Sequence, residues 1–446
     1  MNMLGKILLT LLLAILLIVM SSIMIIFERD KPRAIILWLT LFVFTSLIGG
    51  VIYLCSKIIY YKKRNSLSVK VKEDQVFENL VSKQLLKTDE NLADDYFSFN
   101  KLGYNAQVYG NNSVEFFHSH IKFKENLLRE INVAKKYIIF EVTKLDVNDF
   151  EWLEQPLLKK LEAGVVVKII YDKHVSRNAK KELLKAGAKV YKFSKLRTFD
   201  RTLINKRNRI IIDGTVAYLG KIDAKKCQLK NKCTVANVLL KFKGDVVQAV
   251  DISAHKDVIF ASGKFMEYTA PKFEAKAEAI MQYIPNAVNQ DLELMLIKAI
   301  CMAKESIQIQ VEEFIPTESI MSLLKFALNS NIDVRLMVPL KSENSSRYFA
   351  SRAYVKELAL SGANCYLYDG FLRFNAMVID SKYAMFGSFT LNRGLINQTL
   401  QDVMIIEDEK TIGHFNKIFS MSVDNSYRIN DAKLLLLREK FFKNFV

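Results

Sequence analysis

The sequence has little cysteine, and its cysteines are not arranged as a metal or redox site. Five cysteines occur in 446 residues, and no two of them have C-x-x-C spacing. An odd number of unpatterned cysteines does not build the framework of a small disulfide-rich protein. Cys227 and Cys233 lie among lysines, outside any zinc or dithiol motif. The sequence therefore predicts reduced thiols, no metal and no cofactor.

Acidic residues are also few relative to basic ones. The chain has 47 Asp and Glu against 64 Lys and Arg, which gives a formal net charge of +17. Such a charge attracts either nucleic acid or an anionic lipid surface. No segment interleaves aromatic and basic side chains as a stacking platform for nucleic acid. The composition therefore favours lipid over nucleic acid as the partner.

Two long runs near the N-terminus contain no charged residue. They span residues 7–27, with 21 positions, and residues 34–56, with 23 positions. Each exceeds the roughly 20 residues that cross a bilayer as a helix. A secretory signal peptide is the competing interpretation of the first run, but its apolar part is longer than the usual ~7–15 residues. The sequence predicts two transmembrane helices within residues 1–58.

Basic residues flanking the second run predict the orientation. The short loop at residues 28–33 holds three basic and two acidic residues. Six basic residues follow the second run: Lys57, Lys62, Lys63, Arg64, Lys70 and Lys72. Because basic residues stay on the cytoplasmic side, both termini and the large C-terminal part are expected there. A membrane-tethered basic domain fits an anionic leaflet as partner.

One pattern occurs twice at a fixed distance. Residues 206–213 and 373–380 each start with a cation, continue with an Asn two positions later, and end an apolar strand at an Asp. The two aspartates, Asp213 and Asp380, are 167 positions apart, and a glycine follows seven residues after each. Self-similarity at a fixed offset indicates a duplicated, pseudo-twofold domain.

The pattern around each copy alternates helices with short β-branched strands. Alternation of this kind is typical of an α/β fold with a largely buried sheet. We therefore predict two transmembrane helices at residues 1–58, a linker at 59–110, and two α/β halves at 111–268 and 269–446.

The duplicated pattern resembles the active-site motif of the phospholipase D superfamily, which reads H-x-K-x-x-x-x-D and ends in G-[GS]-x-N. Within that superfamily the sequence is similar to the bacterial cardiolipin synthases. Residues 313–316 resemble the family's "PYFIP" element, and residues 369–372 resemble its "GFLH" element. The resemblance implies a duplicated phospholipase-D-like α/β fold in a multi-pass protein of the bacterial cytoplasmic membrane. It also implies phosphatidylglycerol or cardiolipin as the anionic phospholipid.

The family's chemistry needs residues that this chain lacks. The resemblance implies that one motif His attacks the lipid phosphorus and the other protonates the leaving alkoxide, while the lysines neutralise the phosphate. Here Lys206 and Arg373 stand at the His positions, and Asn208 and Asn375 at the Lys positions. Arginine stays protonated, with a pKa above about 12. A lysine serves as a free amine only after strong desolvation.

The degenerate motifs remain candidates for binding a phospholipid headgroup. The six candidate residues are Lys206, Asn208, Asp213, Arg373, Asn375 and Asp380. The two cations and two amides could hold a phosphate. We expect Lys206 and Arg373 to face each other across the twofold axis, with Asp213 and Asp380 close by. The alternative is a closed, salt-bridged relic that binds nothing.

None of the chain's histidines replaces the missing ones. They are His118, His120, His174, His255 and His414. Only His120 has a lysine two residues later, and no Asp follows it seven residues on.

Two further segments are basic. Residues 195–232 contain eleven basic and three acidic residues, which indicates a solvated membrane-facing surface or a headgroup groove. Residues 433–445 form a basic, apolar helical pattern that could lie on the membrane or dock on the second half.

These observations favour a cardiolipin-synthase-like membrane protein without catalysis, which binds anionic phospholipid or modulates an active cardiolipin synthase. One alternative is an active phosphatidyltransferase with an unrecognised nucleophile. The other is a membrane-tethered nucleic-acid binder.

Overall fold

The computed structural model describes most of the chain after residue 107. The described residues are scattered helical positions between 15 and 58, then 108–145, 147–175, 177–193, 204–222, 234–263, 277–286, 291–340, 345–396, 399–429 and position 443. They fall into two compact units. One unit holds the N-terminal positions, and the other holds every described strand.

The N-terminal unit contains an aromatic pair. The buried rings of Trp38 and Tyr53 meet edge to face, 5.0 Å apart between centroids. Among the described residues, no helix is both long and apolar enough to cross a membrane. Most of the predicted span at residues 7–27, part of that at 34–56, and the linker up to residue 107 lie outside the described residues.

The first half of the second unit runs from β1 to α4. Its strands are β1 (Val108–Phe117), β2 (Tyr137–Leu145), β3 (Val166–Val175), β4 (Lys189–Lys192), β5 (Ile204–Asn205), β6 (Arg209–Ile212), β7 (Val216–Leu219), β8 (Thr234–Ala236) and β9 (Leu239–Gly244). Its helices are α1 (His120–Val133), α2 (Val147–Glu162), α3 (Arg177–Lys185) and α4 (Val246–Ser262).

The second half runs from β10 to β20. Its strands are β10 (Ala279–Asn286), β11 (Ser306–Gln310), β12 (Phe314–Ile315), β13 (Asp333–Pro339), β14 (Asn364–Tyr368), β15 (Gly370–Leu372), β16 (Asn375–Ile379), β17 (Tyr383–Gly387), β18 (Leu391–Asn392), β19 (Thr399–Glu407) and β20 (Ser426–Arg428). Its helices are α5 (Asp291–Met302), α6 (Glu318–Asn329), α7 (Ser345–Leu360) and α8 (Glu409–Asp424).

One mixed sheet runs through both halves. The strand order is β4-β3-β2-β6-β7-β9-β1 in the first half and β14-β13-β11-β16-β17-β19-β10 in the second. Antiparallel pairing of β1 with β10 joins the halves, with Tyr109 opposite Met281. The repeated order agrees with the sequence offset, and the fold is α/β, as the sequence predicted.

Alternation along the central strands separates two cores. In β6, Ile210 and Ile212 contact the core of the first half, under α1, α2 and α3. Ile211 points to the other face, into a core shared by both halves under α4 and α8. Successive side chains of a strand lie on opposite faces, so an all-apolar run fits a sheet covered on both sides.

The described end of the chain contacts the second half. Lys443 Nζ lies 2.6 Å from Glu357 Oε2 of α7, and Arg393 donates a hydrogen bond to the Lys443 carbonyl oxygen at 3.1 Å. The Lys443 ammonium also lies 5.1 Å from the centre of the Tyr354 ring. At this position the basic C-terminal pattern docks on the protein; its other residues lie outside the described part.

Candidate functional site

Each motif directly follows a short strand that pairs with a strand of the opposite half. β5, which precedes Lys206, pairs with β19 of the second half, and Lys206 N donates to Leu400 O at 2.9 Å. β15, which precedes Arg373, pairs with β8 of the first half, and Arg373 N donates to Ala236 O at 2.9 Å. Each degenerate motif therefore starts beside a strand of the opposite half. That Lys206 and Arg373 face each other stays a prediction.

Lys206 is partly buried and faces two carboxylates from the second half. Burial lowers the pKa of Lys206 from its ordinary 10.5 to about 8, although Glu313 and Glu312 favour the charged form. Lys221 and Arg347 add to the lowering through repulsion. The ammonium of Lys206 thus belongs to a mixed cluster of three cations and two carboxylates.

Glu313 lies at the centre of that cluster. Its Oε1 lies 3.3 Å from Arg347 Nη1, and its Oε2 accepts a hydrogen bond from Asn392 Nδ2 at 2.8 Å. Burial favours the neutral acid, but Lys206 and Arg347 outweigh it and hold the pKa of Glu313 below its usual value. Glu312 forms its own ion pair with Lys221.

A cleft opens beside this cluster. It is shallow and partly open to solvent, and its walls come from the residues after β11, the end of β13 and the first turns of α7. The lining residues are Glu312, Glu313, Val338, Pro339, Arg347, Tyr348, Ser351 and Arg352. The cleft is thus charged along one wall and apolar at the end of β13.

Arg373, the counterpart of Lys206, is almost fully enclosed, with 9% of its surface exposed. Its guanidinium carbon lies 5.6 Å from the centre of the Phe371 ring. The contact is close enough for a cation–π interaction, worth about 0.5–2 kcal/mol depending on desolvation.

Both motif asparagines bind the protein's own backbone. Asn208 Oδ1 accepts from Thr143 N at 3.2 Å, and its Nδ2 donates to Lys206 O at 2.8 Å. Asn375 Oδ1 accepts from Glu312 N at 2.9 Å, and its Nδ2 donates to Phe389 O at 2.7 Å. The sequence suggested these amides as phosphate donors; in the structure they cross-link neighbouring segments.

The expectation that the motif aspartates lie beside the cations is wrong. Asp213 follows the far end of β6 and accepts hydrogen bonds from the backbone N–H groups of residues 135, 136 and 137, at 2.7–2.9 Å. Asp380 follows β16 and binds the N–H groups of residues 304, 305 and 306 in the same way, at 2.8–3.2 Å. A whole strand separates each Asp from the start of its motif, so the carboxylates near Lys206 are those of Glu313 and Glu312 instead.

A buried charge network beneath the motif was not foreseen. Arg209 Nε lies 2.6 Å from Glu141 Oε2, and its Nη2 lies 2.6 Å from Asp257 Oδ2. Arg207 contacts the same Asp257 oxygen at 2.5 Å and Asp402 Oδ1 at 3.0 Å. The sequence feature that could have indicated it is Arg209, which directly precedes the three isoleucines of β6. In a strand buried on both faces, a guanidinium group needs carboxylate partners.

The network holds three carboxylates against two guanidinium groups. Burial raises the pKa of Glu141 to about 8, and nearby Asp257 adds to the rise against the attraction of Arg209. Burial alone would also raise the pKa of Asp257, but Arg207 and Arg209 hold it below its usual value. Burial thus favours the protonated form of Glu141, which reduces the negative charge of the buried network.

Comparison with known proteins relates the segment around the second motif to a family. Residues 296–423 match the family model described as "Cardiolipin synthase, PLD-like domain". Residues 296–423 therefore carry a phospholipase-D-like domain of the cardiolipin synthase type. The chain is 27% identical to "Cardiolipin synthase 2" of Staphylococcus epidermidis, over 94% of this chain and 90% of that one. It is 28% identical to "Major cardiolipin synthase ClsA" of Bacillus subtilis, over 95% of each.

A solved structure supports the same fold. The phosphatidylserine synthase of Haemophilus influenzae is 12% identical and superposes with a TM-score of 0.58. The match covers 79% of this chain and 97% of the other. At this identity the likeness establishes the phospholipase-D-like fold of the domain and nothing about its chemistry.

The histidines whose side chains are described make contacts of their own in this phospholipase-D-like domain. His255 of α4 lies 3.1 Å from Asp251 Oδ1, and His414 stacks on Phe116 at 5.2 Å. His120 lies edge-on to Trp152 at 6.2 Å between ring centroids. His118 is exposed before α1, and the side chain of His174 lies outside the described part.

The basic stretch at residues 195–232 does not form one solvated surface where the structure describes it. Arg207 and Arg209 are buried in the charge network, and Lys206 and Lys221 face the carboxylates beside the cleft. Its remaining basic residues lie outside the described part.

Proposed function

We propose that this chain is a cardiolipin-synthase-like membrane protein of phospholipid metabolism that binds anionic phospholipid without transphosphatidylation. One observation carries the proposal: each motif starts beside a strand of the opposite half, and a cation stands there at the position of the family's histidine. The comparisons with bacterial cardiolipin synthases support phospholipid as the substrate class.

The motif residues cannot perform the two proton transfers of a phosphohistidine mechanism. An imidazole is neutral and basic near pH 7, so it can attack phosphorus and later donate a proton. Arg373 retains its proton. The amide nitrogens of Asn208 and Asn375 already donate hydrogen bonds to backbone carbonyl oxygens. General acid–base groups each contribute about 10²–10⁴ in rate, so the loss of both removes the reaction.

A non-catalytic member has a role that fits the membrane. We propose a multi-pass protein of the bacterial cytoplasmic membrane with its domain on the cytoplasmic face. There it would bind phosphatidylglycerol or cardiolipin and modulate an active cardiolipin synthase. The net charge of +17 supports attraction to an anionic leaflet.

The test is lipid synthesis by the purified full-length protein with phosphatidylglycerol, followed by chromatography. We expect no cardiolipin, and salt-dependent binding to anionic but not neutral vesicles. Robust cardiolipin formation that survives Lys206→Ala and Arg373→Ala would refute the non-catalytic assignment. Equal binding to neutral and anionic vesicles at low salt would refute the lipid assignment.

The surroundings of Lys206 favour one rival, an active enzyme with lysine as nucleophile. With a pKa of about 8, Lys206 is partly neutral at pH 7.5. Its amine nitrogen would attack the phosphorus of phosphatidylglycerol, and the phosphorus–oxygen bond to glycerol would break as glycerol takes the proton. A second phosphatidylglycerol hydroxyl would then break the phosphorus–nitrogen bond and return the proton to the amine. Intact mass spectrometry after incubation with lipid detects the adduct, and Lys206→Arg abolishes it if this rival holds.

A further inference from the structure

We propose that Glu313 occupies the degenerate site as an internal anion, in the place where a phosphate group would bind. The inference rests on the proposed anion-binding role of this site. It adds that the Glu313 carboxylate blocks the site until a ligand displaces it. It makes Glu313 an autoinhibitory carboxylate that a phosphate-bearing ligand must displace.

The contacts of Glu313 are those of a bound anion. One carboxylate oxygen faces Arg347 at 3.3 Å, and the other accepts from the Asn392 amide at 2.8 Å. Lys206 supplies the strongest attraction on this carboxylate. A guanidinium, an amide and an ammonium around one anion are the donors that a phosphate oxygen takes in proteins.

The charge count supports exchange between Glu313 and a ligand. Glu312 is paired with Lys221, and Lys206 is attracted by both Glu313 and Glu312, most strongly by Glu313. Two cations at short range repel each other unless an anion lies between them. Removing the Glu313 charge therefore leaves Glu312 as one carboxylate among the three cations of the cluster, and a phosphate can restore the balance.

Backbone contacts of the neighbouring residues fix the position of Glu313. Phe314 N donates to Ser351 Oγ at 3.0 Å, and Phe314 in β12 pairs with Leu391 in β18. β18 also carries Asn392, which binds the Glu313 carboxylate. The same small sheet thus fixes the acidic side chain and one of its donors.

The competing explanation is an ordinary structural ion pair with no ligand to displace. The two explanations differ in what Glu313→Gln does to anion binding, because glutamine keeps the shape and the amide partner but removes the charge. A structural pair predicts only lower stability, whereas an internal anion predicts a new phosphate site.

The experiment uses the full-length protein in nanodiscs of neutral lipid at pH 7. Inorganic phosphate is titrated in one arm and a soluble short-chain phosphatidylglycerol in the other, with thermal shift and ³¹P NMR line broadening as readouts. We expect the Glu313→Gln protein to bind at least about tenfold tighter than the wild type. A gain with both probes indicates a general phosphate site; a gain with the lipid alone indicates a headgroup site.

Matched variants make the result specific. Glu357→Gln removes a carboxylate that also pairs with two lysines, Lys325 at 2.7 Å and Lys443 at 2.6 Å, but lies outside the cleft lining. It should produce no gain. Adding Arg347→Ala to Glu313→Gln should abolish the gain.

Several outcomes would overturn the inference. Equal binding by the wild type and Glu313→Gln shows that Glu313 blocks nothing, and an equal gain in Glu357→Gln shows a nonspecific charge effect. Should Glu313→Gln fold poorly, Glu313→Asp withdraws the carboxylate from its partners and keeps every proposed phosphate donor in place, and unchanged phosphate binding there counts against displacement. Cardiolipin synthesis by the wild type would refute the proposed non-catalytic function. The comparison of phosphate binding between the wild type and Glu313→Gln would still test the role of Glu313.

Discussion

Arg207 of the first motif and Asp402 of β19 form a buried ion pair, with 3.0 Å between Nε and Oδ1. The pair joins the halves beneath the site, and Tyr283 of β10 donates to the same Asp402 oxygen at 2.6 Å. The degenerate motif therefore has a structural role that does not depend on catalysis.

Replacing Arg209 should destabilise the domain strongly. Arg209→Met leaves Glu141 and Asp257 buried without their shared cation, which typically costs about 3–5 kcal/mol. Denaturant unfolding of the detergent-solubilised protein measures the loss. Arg335→Met is the control, since Arg335 is half exposed and pairs with Asp333, so it should lose at most about 1 kcal/mol. Similar losses in both variants would contradict the network's role.

The raised pKa of Glu141 should make stability depend on pH. Between the ordinary value of 4.5 and about 8, the folded state binds a proton that the unfolded state has lost. The contribution of Glu141 to the free energy of unfolding is therefore complete below pH 4.5 and is lost as pH rises to about 8. Denaturant unfolding at pH 5, 7 and 9 should show a flatter profile for Glu141→Gln. An unchanged profile would rule out Glu141 as the retained acid.

The aspartates after β6 and β16 should act on folding and not on lipid. Asp380 has a φ of 51° and binds three backbone N–H groups. Asn tolerates this conformation and keeps an acceptor, whereas Ala loses both. We expect Asp380→Asn to cost about 1 kcal/mol and Asp380→Ala about 2–3 kcal/mol. Vesicle binding should stay unchanged in both variants. A selective loss of lipid binding would show instead that Asp380 belongs to the lipid-binding site.

Gly387 should tolerate no side chain. A Cβ there would lie 2.1 Å from the carbonyl oxygen of Asp402, and its φ of 154° is unfavourable for other residues. Gly387→Ala must separate β17 from β19, so we expect a loss of about 3 kcal/mol or more. Gly413→Ala in α8 meets no atom within 4 Å and should stabilise by roughly 0.5–1 kcal/mol. Thermal unfolding compares the two, and equal melting temperatures would contradict the close approach.

The sequence was sufficient for the repeated architecture because the offset is explicit in the chain. The shared spacing of Asp213 and Asp380 predicted two equivalent halves, and the strand order repeats accordingly. Strand β6, with its isoleucines, was recognisable from β-branched residues and an Asp at its end.

The chemistry of the site was harder to read because it depends on residues far apart in the chain. Glu313 lies more than a hundred positions from Lys206 and in the other half, so no local pattern links them. Spacing within a motif also does not show which end of a strand lies at the site. Asp213 was therefore assigned to the cations, whereas it binds a turn at the opposite end.

Strand pairings between the halves make each half depend on the other for folding. β1 pairs with β10, β5 with β19, and β8 with β15, so each half completes edges of the other. A half without its counterpart would present unpaired backbone groups that favour aggregation. A single half would therefore need a second chain to cover these edges, so the first half stays necessary to the second whatever the chemistry of its motif.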